Sequence, residues 1–159
     1  MPEVDSGDQK PLVRSASHFG LCVSDLERSV GFYRDALEFT EVARLRFDDD
    51  GTRQLLALPP GGVLEAVYLD REGWRLELLH FPTPGSLPGD VPRPMNRTGL
   101  THLSFVVASL PDVIANIQAH GGSILEATRL EGVVFALDPD GTRLELMTQP
   151  FDPVNYAQR

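Results

Sequence analysis

Gly73-Trp-Arg-Leu-Glu-Leu-Leu79 and Gly141-Thr-Arg-Leu-Glu-Leu-Met147 are one phrase written twice, once toward the end of each half of a 159-residue chain. In an extended strand successive side chains point to opposite faces. Each copy therefore turns its first two leucines to one face and its arginine and glutamate to the other. A second match stands at the head of each half, where Ser17-His18 aligns with Thr101-His102.

Working outward from the repeated phrase, each half reads in the same order. Residues 17–23 predict a strand, and Ser24-Asp-Leu-Glu27 has capping-box spacing ahead of Leu26, Val30, Tyr33 and Leu37 at helical intervals. Residues 39–47, 53–58, 63–69 and 74–81 follow as strand candidates, parted by turn-forming Asp, Pro and Gly clusters. In the second half residues 101–108 predict a strand, and Ser109-Leu-Pro-Asp112 opens a helix that Gly121-Gly122 stops. Residues 123–130, 133–138 and 142–148 are its later strands, with Asp138-Pro-Asp-Gly141 as the turn before the last.

The expected fold class is α+β, with two tandem βαβββ modules forming a cupped mixed sheet around a metal-containing cavity. The first module spans residues 14–81 and the second 99–149. A proline-rich connector, 82–98, joins them, and residues 1–13 and 150–159 read as tails.

Composition narrows the function classes. At 42% hydrophobic and 23% charged the chain is an ordinary globular protein, and no apolar run approaches the roughly 18 residues of a membrane span. A net charge of −9 and a single lysine, Lys10, exclude a basic nucleic-acid surface. Cys22 is the only cysteine, so no intrachain disulfide forms, and the first residues lack a signal peptide's basic and apolar regions. The expected location is cytoplasmic, and the expected partner is a small-molecule substrate rather than nucleic acid or membrane.

If the duplication is structural, a pseudo-twofold axis relates His18 to His102 and Glu77 to Glu145. Two imidazoles and two carboxylates suit one divalent ion, Zn, Ni, Co, Mn or Fe, with coordination left for water or substrate. Taken singly, a histidine at a strand start is usually an ordinary surface or core residue and a strand glutamate is usually solvated; the symmetry makes the set informative. His80 and His120 have no symmetry mates. Three residues from Glu77, His80 falls on the opposite face and is assigned to packing or the surface, while His120 suits a helix C-terminus.

At this point the sequence resembles the vicinal oxygen chelate superfamily, which includes glyoxalase I, methylmalonyl-CoA epimerase, extradiol dioxygenases, fosfomycin resistance enzymes and bleomycin-binding proteins. The resemblance covers roughly residues 15–149. It rests on Ser17-His-Phe-Gly-Leu-Cys-Val-Ser-Asp-Leu26 with Ser29-Val-Gly-Phe-Tyr33, Arg75-Leu-Glu-Leu-Leu79, Gly99-Leu-Thr-His-Leu-Ser-Phe-Val-Val107 and Asp138-Pro-Asp-Gly-Thr-Arg-Leu-Glu-Leu146. It implies a metal held at His18, Glu77, His102 and Glu145. The spacing leaves open whether one chain or two copies in a homodimer complete that set.

The order His, Glu, His, Glu is most similar to glyoxalase I. This implies a metal-dependent lyase or isomerase that abstracts a proton next to a carbonyl of a small oxygenated substrate, with Glu145 as proton carrier and Glu77 as a second carrier or a ligand only. Methylmalonyl-CoA epimerases use the same chemistry but often have glutamine where Glu77 stands. An extradiol dioxygenase would need only His18, His102 and Glu145, and Glu77 speaks against it; bleomycin-type binders generally lack the ligands, so the complete set argues against the last alternative, a non-catalytic binding or resistance protein that uses the cavity alone. Arg75 and Arg143 share the glutamate faces by alternation and, with Arg97, are the candidates for holding an anionic substrate. Glyoxalase I enzymes usually carry an arginine four residues after the first ligand, where this chain has Cys22. The departure implies poor use of a glutathione hemithioacetal.

Overall fold

The computed structural model describes residues 12–156. Most of the expected N-terminal tail and the last three residues of the C-terminal one lie outside that range. The first module runs β1 (Phe19–Cys22), α1 (Leu26–Leu37), β2 (Thr40–Phe47), α2 (Asp50–Leu55), β3 (Val63–Arg71) and β4 (Trp74–Thr83). The second runs β5 (Leu103–Val106), α3 (Leu110–Ala119), β6 (Ser123–Ile124), a 3-10 turn (Glu126–Thr128), β7 (Val133–Leu137) and β8 (Arg143–Met147), followed by α4 (Pro153–Tyr156). The strand orders are β1-β4-β3-β2 and β5-β8-β7-β6, so the chain is α+β with two equivalent four-stranded mixed sheets. In each sheet the first strand pairs in parallel with the last, and the other pairings are antiparallel.

Three local readings are corrected. Residues 53–58, expected as a strand, form the end of α2 (53–55) and the turn that follows it: Asp49 accepts from the Thr52 amide at 2.9 Å, and the following Arg-Gln-Leu run has strong helix formers and no β-branched residue. Residues 123–130 hold a strand only at Ser123–Ile124. Beyond it Thr128 donates to the Leu125 carbonyl at 2.7 Å and accepts from the Phe135 amide at 3.0 Å, a local side-chain pattern that replaces the ladder. The cap of α1 is Asp25, whose carboxylate accepts from the Arg28 amide at 3.0 Å. Ser24 is occupied elsewhere, its amide 3.0 Å from the Asp140 carboxylate of the second module's turn. The segment expected as a C-terminal tail also contains the short α4.

The β3–β4 hairpin closes on Glu72 and Gly73, both at positive φ, as a two-residue turn matching strand twist requires. It sets the register that places Tyr68 opposite Glu77. Leu76, Leu78, Leu144 and Leu146 are fully buried beneath the helices and join Phe32, Tyr33 and Ile117 in one core shared by both modules. Glu77 and Glu145 project from the opposite faces of the same strands.

Helix α1 packs on α3 across the module boundary. Asn116 donates to the Asp35 carbonyl at 2.8 Å, and Tyr33 donates to the buried Asp138 carboxylate at 2.9 Å. Asp138 also accepts from the Asp140 and Thr142 amides, at 2.9 and 2.7 Å, which shapes the turn before β8. Burial pushes its carboxyl pKa up, against the pull of those donors. No helix among the described residues is long and apolar enough to cross a membrane.

Candidate functional site

His18 directly precedes β1, and β1 lies beside β4, so the parallel pairing carries His18 to Glu77: Nε2 and Oε2 are 3.1 Å apart. Gly20 pairs with Glu77 in register. A Cβ at Gly20 would stand 3.1 Å from Leu79 Cδ1 and 3.9 Å from Glu77 Oε2, so the missing side chain leaves room beside the carboxylate. Tyr68 of β3 donates to Glu77 Oε1 at 2.5 Å, and its own pKa is pushed up to about 12, first by that hydrogen bond, then by burial and by the carboxylate's charge. Both oxygens of Glu77 thus have a neighbour. Ser17 Oγ lies 3.0 Å from His18 Nδ1. With the ring proton on Nδ1 and shared with that hydroxyl, Nε2 keeps its lone pair for a metal.

The second module repeats this geometry with different supports. His102 Nε2 lies 3.5 Å from Glu145 Oε2, and Thr101 Oγ1 lies 2.8 Å from His102 Nδ1. Ser104, in register with Glu145, donates to the same Oε2 at 2.7 Å. At Tyr68's position stands Phe135, which has no hydroxyl and meets the His102 ring edge-on at 5.5 Å. Glu145 Oε1 therefore has no hydrogen-bond partner among the described residues. Glu145 also forms one wall of an open pocket of about 750 Å³ between the β7–β8 face and residues 149–152. Another cavity, about 660 Å³, lies between α1, β5 and α3 on the helix side and contains neither pair.

The expected ligands thus meet as two pairs, His18 with Glu77 and His102 with Glu145. Within one chain the pairs stay apart: among the described residues no three metal-ligating side chains gather at one point. Each pair nonetheless fits half of a divalent site. Two ligands each about 2.1 Å from an ion stand about 3.0–3.4 Å apart at octahedral or tetrahedral angles, close to the separations seen here. The hydroxyl behind each Nδ1 is the kind of outer support that fixes a ligating ring.

The arginines separate. Arg75 makes two hydrogen bonds of 2.6 Å to Asp70, and Arg97 is ion-paired with Asp90. Arg143 lies over the Phe135 ring, 5.3 Å from its centroid, with no carboxylate partner among the described residues. Cys22 shares the His18 face by alternation and is exposed, its sulfur 4.0 Å from Ser86 Oγ. His80 approaches the Val23 carbonyl at 3.3 Å, and His120 caps α3. Tyr68, Ser104 and Phe135 went unnoticed in the sequence, because only strand register places them against the glutamates.

Residues 15–146 match the Glyoxalase/Bleomycin resistance protein/Dioxygenase superfamily. Among curated proteins the chain is similar to the uncharacterized protein YwkD of Bacillus subtilis (strain 168), with 29% identity over 142 residues, 87% of this chain and 99% of that one. Among solved structures it resembles a glyoxalase family protein of Bacillus cereus, at TM-score 0.74 and 17% identity, covering 87% of this chain and 95% of the other. The trypanothione-dependent glyoxalase I of Leishmania major superposes at TM-score 0.61 with 22% identity, over 85% and 86% of the two chains. The fosfomycin resistance protein FosX of Listeria monocytogenes, in complex with Mn(II) and sulfate, does so at 0.56 with 17% identity, over 88% and 96%. At these identities the structural likeness speaks to the fold.

Proposed function

The chain belongs to the glyoxalase/bleomycin resistance protein/dioxygenase superfamily, and from that premise we propose a divalent-metal-dependent lyase or isomerase that moves a proton next to a carbonyl of a small oxygenated substrate. We propose further that a homodimer completes the site, with His18 and Glu77 of one protomer facing the partner subunit's His102 and Glu145. The observation carrying this reading is the pair of separate His–Glu half-sites, one in each module. Leu45 shares the Glu77 face and Val106 the Glu145 face, and they are 42% and 56% exposed, apolar surface that a second copy would cover. A single cysteine suits a reducing compartment, and we place the protein in the cytoplasm.

Bound at such a site, a divalent ion supplies Lewis-acid polarisation of a substrate oxygen, which acidifies the neighbouring C–H. The chain's own groups divide the remaining work. Glu145 is the proton carrier, because Ser104 holds only Oε2 and Oε1 is left for the substrate's proton. Tyr68 holds Oε1 of Glu77 and leaves Oε2 beside His18 Nε2, which makes Glu77 the fixed ligand. Phe135, beside His102, supplies an apolar wall that limits water near the reacting carbon.

Complementation between two inactive variants tests the reading. One carries His18→Ala and Glu77→Ala, the other His102→Ala and Glu145→Ala, and neither forms a complete site alone. After subunit exchange half the dimers are mixed, each with one intact site and one empty of ligands, so about one quarter of the metal sites should return. No recovery of bound metal would show that the ligands do not meet across copies. No metal binding by the unaltered protein would favour the non-catalytic binding alternative. With Cys22 where glyoxalase I enzymes have arginine, the metal-loaded protein should turn over the methylglyoxal–glutathione hemithioacetal poorly in a standard ultraviolet assay; robust turnover would count against giving that position such weight.

A further inference from the structure

We propose that Arg143 is the anion-recognition residue of this site and that the substrate is a small oxygenated acid whose carboxylate it holds. The inference rests on the functional reading above and adds a substrate class to it. Arg143 shares the Glu145 face of β8, two residues away, which at about 3.3 Å per residue puts their Cα atoms roughly 6.6 Å apart.

The two modules treat their equivalent arginines differently. Across the strand from Arg75 is Asp70, which takes the guanidinium with two hydrogen bonds. Across from Arg143 the register places Leu137, so the neutralising carboxylate is absent. Arg44, Arg46, Arg71 and Arg75, the other strand arginines, are all ion-paired. Among the described residues Arg143 alone of these has no carboxylate partner, and it stands beside a candidate metal ligand.

It is also held in place. Nη2 donates to the Arg93 carbonyl at 2.8 Å, and the Arg93 side chain is itself tied to the carbonyls of Arg97, Thr98 and Leu100. The guanidinium rests over Phe135, whose ring also touches His102. One of its five N–H groups is thus engaged, and the others have no partner among the described residues. A planar fork held rigidly from behind is suited to a carboxylate. Electrostatics point the same way: two glutamates cancel the charge of a divalent ion, and the chain carries a net −9, so attraction for an anion must come from an unpaired cation.

The test uses the metal-loaded full-length protein and two hydroxamates, which chelate the metal alike: succinic acid monohydroxamate, with a free carboxylate, and its uncharged amide counterpart. Titration calorimetry should show the charged probe bound about tenfold more tightly, a typical gain from a charge-assisted bidentate contact. Arg143→Gln should erase that preference while the neutral probe's affinity and the metal content stay unchanged. Arg143→Lys, keeping the charge without the fork, should retain part of it. Equal affinities in the unaltered protein at full metal occupancy, or an unchanged preference in Arg143→Gln, would overturn the role of Arg143 alone. Failure to load metal at all would overturn the underlying site, and this inference with it.

Discussion

Glu145→Gln is expected to retain metal and bind substrate while turnover falls on the order of a hundredfold to ten-thousandfold, the range for a lost general base. Glutamine keeps an oxygen of nearly the same shape and can still accept from Ser104, but it cannot take a proton at neutral pH. Exchange of the substrate's C–H with solvent deuterium should fall in parallel. The two glutamates should respond differently, because Tyr68 buttresses Glu77 and among the described residues no hydroxyl reaches Glu145 Oε1. Glu77→Gln is therefore expected to act mainly on metal affinity. Full turnover in Glu145→Gln with a collapse in Glu77→Gln would exchange their roles, provided both variants are compared at equal metal occupancy.

Gly122→Ala is expected to be the most damaging small substitution in the scaffold. A Cβ there would stand 2.6 Å from Ile117 Cγ2, 2.7 Å from the Leu137 carbonyl oxygen and 2.8 Å from Phe32 Cε2, below any real contact distance. Phe32 belongs to α1 and Ile117 to α3, so the methyl would force the two modules' helices and a strand backbone apart at their seam. The expected cost is about 3 kcal/mol, the upper end of ordinary overpacking, with a fall in Tm on the order of 10 °C. Gly31→Ala is the control. It lies inside α1 with nothing within 4 Å of a new Cβ, and the change should be neutral or stabilising by up to about 1 kcal/mol. Equal thermal shifts in the two variants would refute the packing argument.

The period-two alternation of the repeated Arg-Leu-Glu-Leu phrase was enough to predict which residues go under the helices and which face away. That choice depends only on strand geometry and hydrophobicity, both properties of the local sequence. The repeated order of elements predicted two equivalent modules for the same reason. Local reading failed where side chains had competing partners: Ser24 is taken by Asp140 from the other module, so the cap moved to Asp25, and Thr128 broke a strand by bonding its own neighbourhood.

Which groups touch one another was a tertiary matter. His18 meets Glu77, and His102 meets Glu145, because a parallel strand pairing closes each module. The helix packing of α1 on α3 buries one core between the modules, and within a single chain the two pairs remain apart. Arg75 and Arg143 are indistinguishable in the repeated phrase. Cross-strand register alone sets Asp70 against one and Leu137 against the other, because a strand's sequence specifies its faces but not the neighbour across the sheet.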